Sequence, residues 1–206
     1  MHSKTSSTES PNVAFKTKTI AKIGILSALA ALLMLLEFPL LFIAPFFYKL
    51  DFSEVMVLLG AFSMGPAAGI AIEAIKILLN FALDGTMTAG IGELANFIIG
   101  CSFVVPAAII YQRNKTKKNA IIGMMIGSIS MTIVGALMNY YVLIPAYSAV
   151  MSLDKIIAAG TEINPAITNL ESLILLATTP FNFIKAVASS VIAFLLYKRV
   201  SGLLHR

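Results

Sequence analysis

The chain has 206 residues, 58% of them hydrophobic and only 12% charged, with a net charge of +5. Soluble domains run near half apolar and a quarter charged, so both departures point to a lipid bilayer as the solvent. One cysteine, Cys101, excludes an internal disulfide, and two histidines at opposite ends, His2 and His205, exclude a metal cage or a histidine-based triad.

Residues 1–20 are polar, rich in Ser, Thr and Lys, and read as a flexible tail. An apolar run over 23–36 follows. Its basic approach resembles a signal peptide, but Glu37-Phe38-Pro39-Leu40 comes after it instead of a small-residue cleavage site, so the run is a retained first helix. Further runs cover 55–62, 67–83, 91–111, 120–144 and 173–197. The second is short and closes at Gly65-Pro66, a break between two helices. A span that short needs protein or a water-filled cavity around its backbone. Pro180, inside the sixth run, frees a carbonyl one turn earlier and is expected to kink that helix. None of the runs alternates polar with apolar, which excludes a barrel. The expected fold is all-α: an integral membrane bundle of six transmembrane helices over 21–200, with a short tail over 201–206.

Eleven of the fifteen positive residues lie before the first run, between the fourth and fifth, or after the sixth. With six spans those segments share one side, which places both termini in the cytoplasm. This distribution, beside apolar runs and on no single basic face, also excludes nucleic acid as a partner. The outer loop 38–51 is rich in Phe, Pro and Leu and is expected to fold over something apolar. The outer loop 145–171 is long enough to act as a lid, or as an interfacial anchor.

Lys185 stands in the middle of an apolar run. A charge there costs at least about 2.5 kcal/mol, so it must face a partner or a cavity. Asn182 is three residues earlier on the same helix face, and Asn139 sits near the outer end of the fifth run, so the three can converge in one pocket. Structural hydrogen bonding between helices is the competing reading, stronger for Asn139 than for Lys185 with Asn182. Glu73 and Lys76 share a face and neutralise each other. Glu93 and Asn96 open the fourth run, where Glu93 suits the helix dipole. Asp51 and Glu54 suit the start of the second, with Ser53 another candidate cap. Gly24 with Ala28, and Ser27 with Ala31, put small residues on helix one where another helix can approach. No phosphate-binding loop, HExxH or GxSxG occurs, which leaves ATP hydrolysis, metalloprotease and serine-hydrolase activities unsupported.

Four segments carry a resemblance over about 22–197: Leu50-Asp51-Phe52-Ser53-Glu54, Gly92-Glu93-Leu94-Ala95-Asn96-Phe97, Met138-Asn139-Tyr140-Tyr141 and Pro180-Phe181-Asn182-Phe183-Ile184-Lys185. They resemble the substrate-binding S components of energy-coupling-factor (ECF) vitamin transporters, and the last two together resemble the riboflavin type. The resemblance implies capture of riboflavin, or the related FMN, from outside by the first outer loop and helices four to six. It implies no cofactor or catalysis of the chain's own, but a transmembrane coupling subunit and two ATP-binding subunits as partners in a bacterial plasma membrane. On this footing Asn139, Asn182 and Lys185 meet the flavin's pyrimidine edge, Glu54, Glu93 and Asn96 its ribityl hydroxyls, and Leu50 its ring. Gly24 and Ala28 occupy the positions of the family's Ala-x-x-x-Ala docking pattern. The rival readings are an S component for thiamine, biotin or pantothenate, a stand-alone facilitator, and a membrane enzyme using Glu73 and Lys76.

Overall fold

Helix α1 (Pro11–Leu35) starts well before the first apolar run. The computed structural model describes residues 11–86 and 88–204, with side chains within 17–197. Residues 11–20, expected to be a loose tail, are therefore helical. Lys and Thr cost an α-helix little, and a helix nucleated in an apolar run propagates outward cheaply. The rest of that tail, 1–10, lies outside the described residues, as do 205–206; 201–204, also expected as tail, continue the last helix.

The loop after α1 closes with a two-residue antiparallel ladder, β1 (Phe38–Pro39) against β2 (Lys49–Leu50). Then come α2 (Ser53–Met64) and α3 (Pro66–Asp84), separated only by Gly65 at φ 100°. That backbone angle suits glycine, and Pro66 at the first helical position needs no amide donor, so the Gly-Pro break is explained residue by residue. α4 (Ile91–Arg113) and α5 (Lys117–Met138) follow. A π-helical turn, Asn139–Leu143, carries α5 directly into α6 (Ile144–Ser148). α7 (Leu153–Thr161), α8 (Leu170–Leu173), a second π-helical turn at Ile174–Thr178 and α9 (Thr179–Leu204) complete the chain.

Among the described residues, five helices are long and apolar enough to cross a bilayer: Thr17–Leu35, Pro66–Asp84, Ile91–Arg113, Lys117–Ser148 and Leu170–Tyr197. The protein is a helical membrane bundle. α2 has 12 residues, about 18 Å against roughly 30 Å of hydrocarbon. Nine of those residues are buried, so protein surrounds the short helix on nearly every side.

Two features at the end of the bundle that carries the first loop add detail to the expected elements. The segment 145–171 carries helices, because α6 prolongs the fifth run and α7 buries Ile156 and Gly160. The distortion expected from Pro180 takes the form of the π-helical turn before it. The Thr179 amide and its Oγ1 both donate to the Ile174 carbonyl, the hydroxyl at 2.8 Å. A proline also follows the first π-helical turn, at Pro145; widening the helix makes room for a ring that would strike the carbonyl four residues back.

Small residues set the closest helix contact. At Gly123 an added Cβ would lie 2.6 Å from the Ala107 carbonyl oxygen, and at Gly127 one would collide with that of Phe103. α4 and α5 therefore touch backbone to backbone, as packing inside a bilayer favours. Gly127→Ala should lower stability by about 1–3 kcal/mol through overpacking, read as a lower thermal midpoint in detergent. The buried apolar residues form one cluster through the bundle and a second at the end that carries the first loop. There Tyr48 and Leu50 from the first loop meet Ile144, Ile156, Ile167 and Phe181. The first loop thus covers an apolar surface made by α6, α7 and α9, as its composition leads one to expect.

Candidate functional site

A cavity of about 500 Å³ opens beneath the first loop, within the usual range for small-molecule sites. Its walls come from that loop, the end of α3, the first turns of α4, the second half of α5 with the π-helical turn after it, the α6–α7 segment, and α9 from Phe181 to Lys185. It reaches the surface beside Phe46, Lys49 and Val150, which are exposed.

Lys185 lies in this wall, 6% exposed, and its Nζ donates to Asp51 Oδ2 at 2.7 Å. Both conditions set by an intramembrane charge are met: a partner and a cavity. Asp51 also accepts the Ser53 amide at 2.8 Å through Oδ1, so one carboxylate starts α2 and holds the lysine. Burial opposes its charge, but Lys185 and Lys76 prevail and hold the carboxyl below the ordinary carboxylate range. Ser53 itself is no cap; it is the first residue of the helix, with its hydroxyl buried.

Asn139 and Asn182 line the same cavity on either side of Gly135. Asn139 Nδ2 donates to the Gly135 carbonyl at 2.8 Å, and a Cβ on Gly135 would lie 2.7 Å from Asn182 Cγ. Gly135 thus makes room for one amide and anchors the other, a role the sequence did not reveal. Asn182 Nδ2 donates to the Thr178 carbonyl at 2.9 Å. The π-helical turns matter here: Asn139 opens the first and Thr178 closes the second. Such turns shift the helix face that follows and are frequent at functional sites.

Glu93 and Asn96 face this cavity from α4, and Thr86 Oγ1 donates to Glu93 Oε2 at 3.0 Å. Leu50 and Glu54 do not line it. Successive strand residues point to opposite faces, so Lys49 lines the cavity while Leu50 packs into the second apolar cluster. Glu54, 1% exposed, turns toward α3, where Lys76 Nζ reaches it at 2.8 Å and Glu73 at 2.7 Å. The expected Glu73–Lys76 pair is thus a buried trio. On α1, Gly24 and Ala28 face outward, while Ser27 and Ala31 are buried against the bundle.

A cavity with apolar walls, two primary amides and an ammonium suits a flat, partly apolar guest whose edge carries both hydrogen-bond donors and acceptors. Comparison with known proteins agrees with that chemistry. The family model described as ECF transporter, substrate-specific component, matches residues 18–197. The riboflavin transporter RibU of Staphylococcus aureus is 37% identical over 191 residues, 93% of this chain and 94% of that protein. The riboflavin transporter FmnP of Bacillus subtilis is 32% identical over 185 residues, 88% of this chain and 91% of that one. A solved structure described as the S component of a bacterial ECF transporter superposes with a TM-score of 0.70 at 34% identity. The match covers 93% of this chain and 99% of that one.

Proposed function

The chain belongs to the substrate-specific components of ECF transporters, and from that premise we propose that it captures riboflavin at the outer face of a bacterial plasma membrane. The observation that carries this reading is the convergence of Asn139, Asn182 and Lys185 on one cavity. A flavin's pyrimidine edge runs acceptor, donor, acceptor; amides and an ammonium supply the complement. Phe181 and the first-loop aromatics form the apolar wall for the rings, and Glu93 and Asn96 face the ribityl hydroxyls. Glu54 belongs to the buried trio on this reading, and Leu50 packs in the apolar cluster that also holds Tyr48. FMN shares the ring edge and is the related candidate.

The short α2 completes a count of six crossings, with both termini on the cytoplasmic side under the lysine and arginine distribution. A coupling subunit and two ATP-binding subunits supply the energy. The exposed Gly24–Ala28 face of α1 is the side offered to the coupling subunit; a Cβ on Gly24 would meet nothing within 4 Å. Gly24→Leu should therefore leave flavin affinity unchanged and reduce co-purification with the partner subunits, measured by pull-down from co-expressing cells. Loss of flavin binding in that variant would contradict the separation of the two surfaces.

The function is tested by the absorbance spectrum of the detergent-purified protein. A flavin band that co-purifies with the protein, and that neither excess thiamine nor excess biotin removes, is expected. A colourless protein that ignores added riboflavin and is stabilised by another vitamin would overturn the reading.

A further inference from the structure

The two cavity asparagines differ in what they have left to offer a guest. Asn139 Nδ2 donates to the Gly135 carbonyl, and its Oδ1 accepts from the Tyr48 hydroxyl at 3.1 Å. That hydroxyl also lies 2.6 Å from Thr178 Oγ1. A phenol carries one proton. Spent on Asn139, it leaves the phenol oxygen to accept from Thr178, and burial pushes the Tyr48 ionisation up, so the proton stays. The Asn139 amide is thereby fixed through both its oxygen and its nitrogen, leaving the second Nδ2 hydrogen to offer. Asn182 is fixed through its nitrogen alone, by the Thr178 carbonyl, which leaves its Oδ1 as an acceptor.

We infer that Tyr48, reaching in from the first loop, is a specificity-determining positioning residue. By pinning the Asn139 amide it makes that side chain a donor toward a carbonyl of the guest, while Asn182 reads the guest's N–H. The inference rests on the riboflavin reading above, since it takes its force from an edge that alternates acceptor and donor. It also gives the buried trio of hydroxyls and amide, Thr178 to Tyr48 to Asn139, one purpose: it ties the loop to both π-helical turns and sets the polarity of the site at the same time.

Tyr48→Phe tests this, because it keeps the ring beside Phe181, centroids 5.4 Å apart, and removes only the hydroxyl. Riboflavin should bind the purified variant about three- to ten-fold more weakly, the range of one neutral hydrogen bond. The decisive readout is discrimination against 2-thio- and 4-thioriboflavin, in which one edge oxygen is replaced by a poorer acceptor. The variant should lose preference against one of these analogues, the one whose altered atom meets Asn139, by a similar factor, and keep it against the other. Equal weakening of all three flavins, or no weakening, would overturn the inference, since a packing role alone predicts no change in preference.

Thr178→Val should shift the same preference in the same direction and Thr178→Ser should restore it, so the test does not hang on one variant folding. An unaltered protein that binds no flavin would overturn the riboflavin reading, and the inference with it. Flavin binding with unmoved preferences overturns the inference alone.

Discussion

Lys185→Ala should weaken riboflavin binding ten-fold or more, from roughly 1.5–3 kcal/mol per hydrogen bond to a charged group. The same change should also destabilise the bundle, because it leaves the Asp51 carboxylate buried without its cation. Removing one partner of a buried ion pair costs about 3–5 kcal/mol, and Asp51 is only 2% exposed. The two effects separate in a double variant. Lys185→Met with Asp51→Asn carries no unpaired charge, so the thermal midpoint in detergent should return most of the way to that of the unaltered protein. Flavin affinity should stay low, because the ammonium proposed to meet the guest is still missing. Recovery of both together would assign Lys185 a purely structural role.

The pair also has a pH signature. The folded protein holds the Asp51 carboxyl below its ordinary value. Its contribution to stability is therefore fully present above roughly pH 4, the unperturbed carboxylate range, and is lost as pH falls through the lower folded value. Thermal midpoints measured across that acid window should drop less in Asp51→Asn than in the unaltered protein.

Lys76→Met should be the most damaging single change outside the cavity. Lys76, Glu54 and Glu73 are each no more than 1% exposed, and the ammonium lies within 2.8 Å of an oxygen from both carboxylates. Without it two like charges face each other in a medium that cannot solvate them, so the penalty should reach at least the roughly 3–5 kcal/mol of a broken buried pair. The expected outcome is a protein that no longer accumulates in the membrane, or melts far earlier in detergent. Glu73→Gln should be tolerated, since the trio sets two carboxylates against one ammonium and the amide removes the surplus charge. Its space is unusually well defined: a Cβ on Gly100 would collide with the Glu73 carboxylate. A Lys76→Met protein as stable as the original would show that the ammonium is not what holds the two carboxylates in the bundle.

Sequence alone reveals a charge that lipid will not tolerate, but not what answers it. Lys185 stands out because it interrupts an apolar run; its partner Asp51 lies 134 positions away, and no periodicity links a loop residue to a helix face. Glu73 and Lys76 are readable as neighbours because they are three apart on one helix, whereas Glu54 joins them only through the packing of α2 on α3. The same limit explains Leu50. Adjacent positions in a two-residue strand face opposite ways, and only pairing with β1 decides that Lys49 rather than Leu50 meets the cavity. Gly65-Pro66 was legible because its chemistry is local: a positive φ followed by a residue without an amide proton. α7 was not, because its burial of Ile156 depends on a cluster assembled from four distant segments.

The most direct test of the whole account is an equilibrium titration of the purified chain with riboflavin, followed by the ligand's own fluorescence. Saturable quenching at one flavin per chain, greatly weakened by Asn182→Ala, is the expected result. Quenching that never saturates, or a titration curve that Asn182→Ala leaves untouched, would contradict the assignment of the cavity beneath the first loop as the flavin site.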